Sequence, residues 1–336
     1  MHIIYTVTLM LAALAAAVLL FERAAPLTAA RLGMALERRR AGLRRRDGAL
    51  PGFSMPYLEG GSGEVLVLVH GFAGDKDNFT RIARFLTPRY RVLIPDLPGF
   101  GEAGRAPQAG YAIADQVERL RVFLDRHAPG RIHLGGNSMG GYIAAQFAAC
   151  HPERVASVWL LDAAGTAAAQ SSAVLDRYRD SGAMPLLVPA ERDFAQLLAY
   201  SAHRRFFLPY SVRTALARRA AADFALHTEI MRQVVASPLL EQQYHGLRTP
   251  ALIVWGERDR ILHPSGAATL AALFGQHQVI LMAGIGHLPM LEAPRRSAAD
   301  YVEFRRRLAQ AAEGEDKDEG GERETADAAA VLTASR

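Results

Sequence analysis

The chain has 336 residues, half of them apolar, enough to bury one large core or a core with an insertion, and its composition excludes a disordered or collagen-like protein. Its one cysteine, Cys150, excludes an internal disulfide framework and a cysteine-rich metal site. The net charge of +5 does not point to nucleic acid: residues 1–50 carry eight arginines against three acids, residues 313–336 carry eight acids against three bases, and the arginines between are scattered without interleaved aromatics.

Residues 3–21 form an uncharged apolar run that spans about 28 Å as a helix, close to the thickness of a bilayer core. Residues 1–22 therefore read as an N-terminal membrane anchor, with a cleaved signal peptide as the alternative. Arg23, Arg31, Arg38 to Arg40 and Arg44 to Arg46 crowd the far side, and the positive-inside rule keeps that flank and the body behind it cytoplasmic. Residues 23–50 are expected to be a basic juxtamembrane linker, lying on anionic lipid through its interleaved leucines or simply solvated.

The globular part is expected from residue 51. Residues 65–69 read as a buried strand that runs into His70-Gly71-Phe72. Asp75 to Asn78 has the look of a helix start, with Phe79, Ile82, Ala83 and Leu86 as its apolar face. Residues 91–95 form the next strand. It leads into Asp96-Leu97-Pro98-Gly99-Phe100-Gly101, whose glycines with Gly104 match G-x-G-x-x-G. A dinucleotide fingerprint needs those glycines to open a helix, whereas Pro107 and Gly110 intervene before the helix of residues 113–127.

Residues 132–134 are a short apolar strand before Gly136-Asn137-Ser138-Met139-Gly140, a G-x-S-x-G turn followed by an alanine-rich helix over residues 142–150. In such an elbow the serine sits on a strained turn and its neighbours two positions away must be small, so Ser138 is the candidate nucleophile. Residues 155–161 form another strand, ending at Asp162. Strand and helix in alternation predict a mostly parallel sheet with helices on both faces. The alternation breaks over residues 165–248, read as an inserted helical cap. Its apolar clusters, residues 184–188 and 206–208, either meet an acyl chain or pack the cap's own core. Strand 250–255, helix 266–274, strand 277–282 and helix 295–312 complete the core of residues 51–164 and 249–312. Residues 313–336 are read as a disordered acidic tail.

The elbow requires an acid and then a histidine later in the chain. Asp259 and His287 stand in that order, each just past the C-terminal end of a predicted strand, where ligands bind in parallel sheets. Asp162 and Glu257 are the rival acids and His263 is the rival base.

Together, His70-Gly71-Phe72, Asp96 to Gly101, Gly136 to Gly141, Trp255-Gly256-Glu257-Arg258-Asp259 and Gly286-His287 resemble the α/β-hydrolase superfamily over residues 55–310. Within it the chain looks like the capped bacterial lipases and esterases and the membrane-anchored monoacylglycerol lipases. The resemblance implies an α/β-hydrolase fold, an acyl-enzyme on Ser138 with His287 as base and Asp259 as its acid, and an oxyanion hole from the backbone N–H groups of Phe72 and Met139. It implies lipid-like carboxylic esters as substrates. No metal or organic cofactor is expected, since H-E-x-x-H, C-x-x-C and a P-loop are absent from the sequence. Two alternatives stay open: a carbon–carbon bond hydrolase of ring-cleavage diketones, and a non-catalytic binding module on the same fold.

Overall fold

The computed structural model describes residues 1–311. Eight strands make one sheet: β1 (Leu43–Arg46), β2 (Tyr57–Gly60), β3 (Glu64–Val69), β4 (Tyr90–Pro95), β5 (Ile132–Asn137), β6 (Val155–Leu161), β7 (Ala251–Gly256) and β8 (His277–Met282). Their spatial order is β1-β2-β4-β3-β5-β6-β7-β8. β2 runs antiparallel to both of its neighbours, and the strands from β4 to β8 pair in parallel.

The inner strands read as unbroken apolar runs because both faces of the sheet are covered. In β3, Val67 and Val69 enter one core while Leu66 and Leu68 enter the other. The first core is closed by α3 (Ile113–His127), whose Val117, Leu120, Phe123 and Leu124 recur at helical spacing, and by α4 (Met139–Cys150). The second is closed by the helix over residues 294–311, where Tyr301 stacks on Trp159 of β6 with ring centroids 4.5 Å apart. Each such aliphatic side chain, buried whole, contributes roughly 1.5–3 kcal/mol.

Between β6 and β7 the chain leaves the sheet and forms α5 (Ala173–Ser181), α6 (Phe194–Ser201), α7 (Tyr210–Ala222) and α8 (Phe224–Val235). At the other end of the chain, α1 (His2–Ala24) buries none of its residues, and α2 (Pro26–Arg40) follows after a break at Ala25. Pro26 suits that break: it lacks an N–H and occupies the first turn of α2, where none is needed.

Three expectations change. The stretch 23–50 is not a free linker: α2 buries Ala29 and Ala30 and packs on α7, Arg38 pairs with Asp77 at 2.6 Å, and β1 is the edge strand of the sheet. Strand β1 has one buried position, Leu43, followed by three exposed arginines, so an antiparallel edge carried no apolar signal. After Asp75, whose carboxylate caps the turn by accepting the Asp77 N–H at 2.9 Å, the chain makes one 3₁₀ turn and a single α turn instead of a full helix. The helix after β7 is shorter than expected, Gly266–Ala271. The predicted acidic tail of residues 313–336 lies outside the described residues.

Candidate active site

Ser138 follows β5 and opens α4 with φ 57° and ψ −120°, a backbone conformation that L residues rarely adopt. The turn is fastened on both sides: the Ser138 N–H donates to Leu161 O at 3.0 Å, and the Ala164 N–H donates to Ser138 O at 3.0 Å. Its hydroxyl does not cap the helix. The small neighbours are required by contact. A Cβ at Gly136 would meet Gly140 O at 2.1 Å, and one at Gly140 would meet Val69 O at 2.1 Å.

Asn137, the last residue of β5, links this elbow to the loop that follows β8. Its side-chain amide donates to Leu161 O at 3.1 Å and to His287 O at 3.0 Å. His287 and Asp259 are both buried, and His287 Nδ1 lies 2.7 Å from Asp259 Oδ2. The other carboxylate oxygen of Asp259 accepts the N–H groups of Ile261 and Leu262 at 2.8 and 3.1 Å. This arrangement leaves Nε2 as the free end of the ring, which is the end a base needs.

Of the rivals, Glu257 and His263 are exposed, and the His263 ring bonds Ser265 Oγ at 2.7 Å. Asp162 is different. It is fully buried, and one of its atoms lies within 4.8 Å of ligating atoms of both Asp259 and His287. These three are a cluster of metal-ligand type, yet Asp259 Oδ2 and His287 Nδ1 are already engaged with each other.

The loop after β3 passes over the elbow: a Cβ on Gly71 would sit 3.0 Å from Ser138 Cβ. That loop is held by His70, whose Nδ1 lies 2.8 Å from Gly71 O while Nε2 accepts the Leu97 N–H at 3.0 Å. The pattern requires a neutral imidazole, and burial pushes the His70 ring below its ordinary value. The Asp96 motif, unsuited to a dinucleotide, serves the same loop. Asp96 accepts the backbone N–H and the ammonium of Lys76, both at 2.7 Å, and the N–H of Glu102 at 2.8 Å. Gly101 sits at φ 57°, and a side chain there would run into the Asp96 carboxylate. Phe72 stands edge-on to Phe100 and to His227, a buried ring pushed down to about 4 by desolvation.

Two apolar cavities adjoin these groups. One, about 470 Å³ with its mouth, contains Ser138, Phe72 and Met139, and Met184 and Leu186 of the helical insertion close over it together with Met231 and Val234. The other, about 950 Å³ with its mouth, lies between α2, the loop at Ala73 to Asp75, Phe206 and Leu208 of the insertion, and Leu288 beside His287. The two apolar clusters whose fate was open in the sequence therefore both face cavities.

Glu292 went unnoticed in the sequence. Its buried carboxylate accepts N–H groups from Gly286, Leu288, His203 and Arg204, at 2.6 to 3.2 Å, and so ties the two residues flanking His287 to the segment that follows α6 in the insertion. The His287 N–H joins the same seam by donating to Ser201 O at 3.0 Å. A glutamate a turn beyond a histidine has no signature in sequence.

Comparison with known proteins agrees with this architecture. The model of the alpha/beta hydrolase fold family matches residues 64–294. Lipase 1 of Psychrobacter immobilis is 38% identical over 265 residues, 76% of this chain and 81% of that one. Monoacylglycerol lipase abhd6-B of Xenopus laevis is 28% identical over 259 residues, 73% and 76% of the two chains. Among solved structures, a bacterial membrane phospholipase A superposes with a TM-score of 0.80 at 38% identity, covering 90% of this chain and 98% of that one. In fold and sequence, the chain belongs to the alpha/beta hydrolase family.

Proposed function

We propose that the protein is a carboxylic-ester hydrolase of lipid-like substrates that works through an acyl-enzyme on Ser138. The observation that carries this is the strained Ser138 elbow facing an apolar cavity, with the loop of the buried His287–Asp259 pair tied to it by Asn137. His287 Nε2 takes the Ser138 proton as the oxygen attacks the ester carbonyl, Asp259 holds the ring and balances the imidazolium, and His287 then protonates the departing alcohol. Water repeats the sequence and frees the acid. The backbone N–H groups of Phe72 and Met139 receive the oxyanion. Met139 is in the first turn of α4, where N–H groups lack helical partners, and each such donor contributes about 3 kcal/mol to the transition state. The acyl chain lies among Met184, Leu186, Met231 and Val234.

The lipase relatives support a lipid ester over a soluble one, and α1 supports a membrane source for it. That helix is 23 residues long and contains an 18-residue stretch with a mean hydropathy of 2.5. In this reading α1 anchors the protein, the arginine-rich flank keeps the catalytic body on the cytoplasmic side, and the substrate is an acyl ester of membrane lipid. The test is direct. Purified wild type hydrolyses p-nitrophenyl esters and takes up a fluorophosphonate probe, and Ser138→Ala does neither. A wild-type protein inert to esters and unlabelled by the probe ends the proposal.

A further inference from the structure

We propose that Asp162 is a positioning residue that acts as a protonated acid: its Oδ2–H donates a hydrogen bond to the Asp259 carboxylate and holds it in the orientation His287 needs. The proposal rests on the serine-hydrolase reading above.

Asp162 ends β6 with φ 44°, in the left-handed region unusual for a residue with a side chain, and is wholly buried. Its two oxygens are unequal. Oδ1 accepts the Gly256 N–H at 2.8 Å, whereas Oδ2 is buried without a partner among the described residues. Such an orphan is uncommon, because an unpaired buried acceptor forfeits its hydration with nothing in return. Asp259, beside it, is fully provided: Oδ1 takes two backbone N–H groups and Oδ2 takes His287. Two buried carboxyl groups with oxygens within 4.8 Å of each other do not both ionise. Three donors stabilise the charge on Asp259 and one does so on Asp162, so the proton resides on Asp162. Placed on Oδ2, it turns the orphan acceptor into a donor for the neighbouring carboxylate. The ionisable groups facing Asp162 are Asp259, His287 and Glu292. Burial first, and then the charge of Asp259, push the Asp162 carboxyl well above the usual range. The rival acid of the sequence thus becomes the support of the acid itself.

Two substitutions in the detergent-solubilised full chain separate this role from simple packing. Asp162→Asn keeps shape, neutrality and a donor, so it retains kcat within about three-fold, leaves KM unchanged and does not move the acid limb of kcat/KM. Asp162→Ala loses the donor and lowers kcat about ten-fold or more with KM within about two-fold. Infrared difference spectra of wild type minus Asp162→Asn at pH 7 show the C=O stretch of a protonated carboxylic acid. The proposal is overturned if the Asn variant is as impaired as the Ala variant, shifts the acid limb, or fails to fold, since a neutral donor of that shape is what the site is said to hold. Absence of the infrared band overturns it too. Should wild type prove unreactive towards the fluorophosphonate probe, the serine-hydrolase reading fails on its own, and the infrared band still reports on Asp162.

Discussion

At Gly140 the elbow leaves no room for a methyl group. An added Cβ would lie 2.1 Å from Val69 O and 2.6 Å from His70 O, main-chain atoms that cannot rotate aside as a side chain would. Gly140→Ala is expected to destabilise the fold by about 1–3 kcal/mol or more, as overpacking does, and to abolish probe labelling at Ser138 because the elbow must open to accept it. Normal melting and labelling together would contradict the geometry. Glu292 sets a different constraint, one of acceptors. Glu292→Gln places an amide N–H₂ where backbone N–H groups already converge, so one oxygen must serve four donors. A loss of about 2 kcal/mol in urea denaturation is expected, together with a fall in kcat of about ten-fold as the His287 loop loosens. Unchanged kcat would show that Ser201 and Asn137 suffice to hold His287.

Among elements, the sharpest junction is between α7 and the loop after β3. Arg219 on α7 pairs with Asp75, and Arg105 pairs with Asp223 at the α7–α8 corner at 2.6 Å, so the insertion is clamped by charge on the side of the loop after β3. Burial alone would raise the Asp75 carboxyl, but Arg219 and Lys76 outweigh it and hold it down at about 2. A folded-state value below the unfolded one contributes stability at pH above about 4, and that stability is lost as pH falls towards 2; the amount is roughly 2 kcal/mol. Arg219→Ala should cost about 3 kcal/mol at pH 7 by stranding Asp75, and should flatten the loss between pH 4 and 2, because the buried carboxyl then no longer ionises more readily in the folded state than in the unfolded one. Urea denaturation at both pH values measures this, and an unaltered acid dependence would rule it out. Such charge junctions were invisible in the sequence for the same reason that β1 and β2 were. Apolar runs and glycine spacing announce β3 to β7 and the elbow, since burial on both faces leaves a continuous signal, whereas Arg44 to Arg46 on an edge strand and Asp75, Arg219 and Glu292 at buried polar seams look like ordinary surface residues until the fold closes. Chain order and position after strands lead from the sequence to the strained turn at Ser138 and to the buried His287–Asp259 pair. The hydrogen bonds of Asn137 and Glu292 have no such signature, and Asp162 stands in the sequence only as a rival acid.

Taken whole, the molecule joins its apolar N-terminal helix to the helical insertion. At 1.5 Å per residue α1 extends about 35 Å with every residue unburied, and its last turn docks on α7, where Glu22 accepts the Ser211 hydroxyl at 2.9 Å and Arg23 lies 4.8 Å above the Tyr210 ring. From there α2 turns Ala29 and Ala30 inward and leaves Leu27, Leu32 and Leu36 exposed, with Phe207 bare on the insertion nearby in sequence to Tyr210. In the proposed membrane setting these exposed apolar residues and the exposed arginines of α2, Arg31, Arg39 and Arg40, meet the lipid surface, and the helix that carries Arg219 is held at the same surface as the anchor. Ester hydrolysis should therefore depend on how the substrate is presented. Removing residues 1–24 is expected to yield a soluble protein whose activity on a water-soluble short-chain ester stays within about three-fold of the full chain, because the elbow, its acid and its base are untouched. On a long-chain ester dispersed in anionic vesicles the same truncation should lower the rate by more than about ten-fold, since one apolar helix supplies most of the affinity for lipid and the leucines of α2 alone give only reversible binding. Full-chain Leu32→Asp with Leu36→Asp should fall between the two, losing vesicle activity while keeping the soluble-ester rate. Equal vesicle rates for full-length and truncated protein would mean that the lipid surface plays no part in delivering substrate, whatever α1 spans.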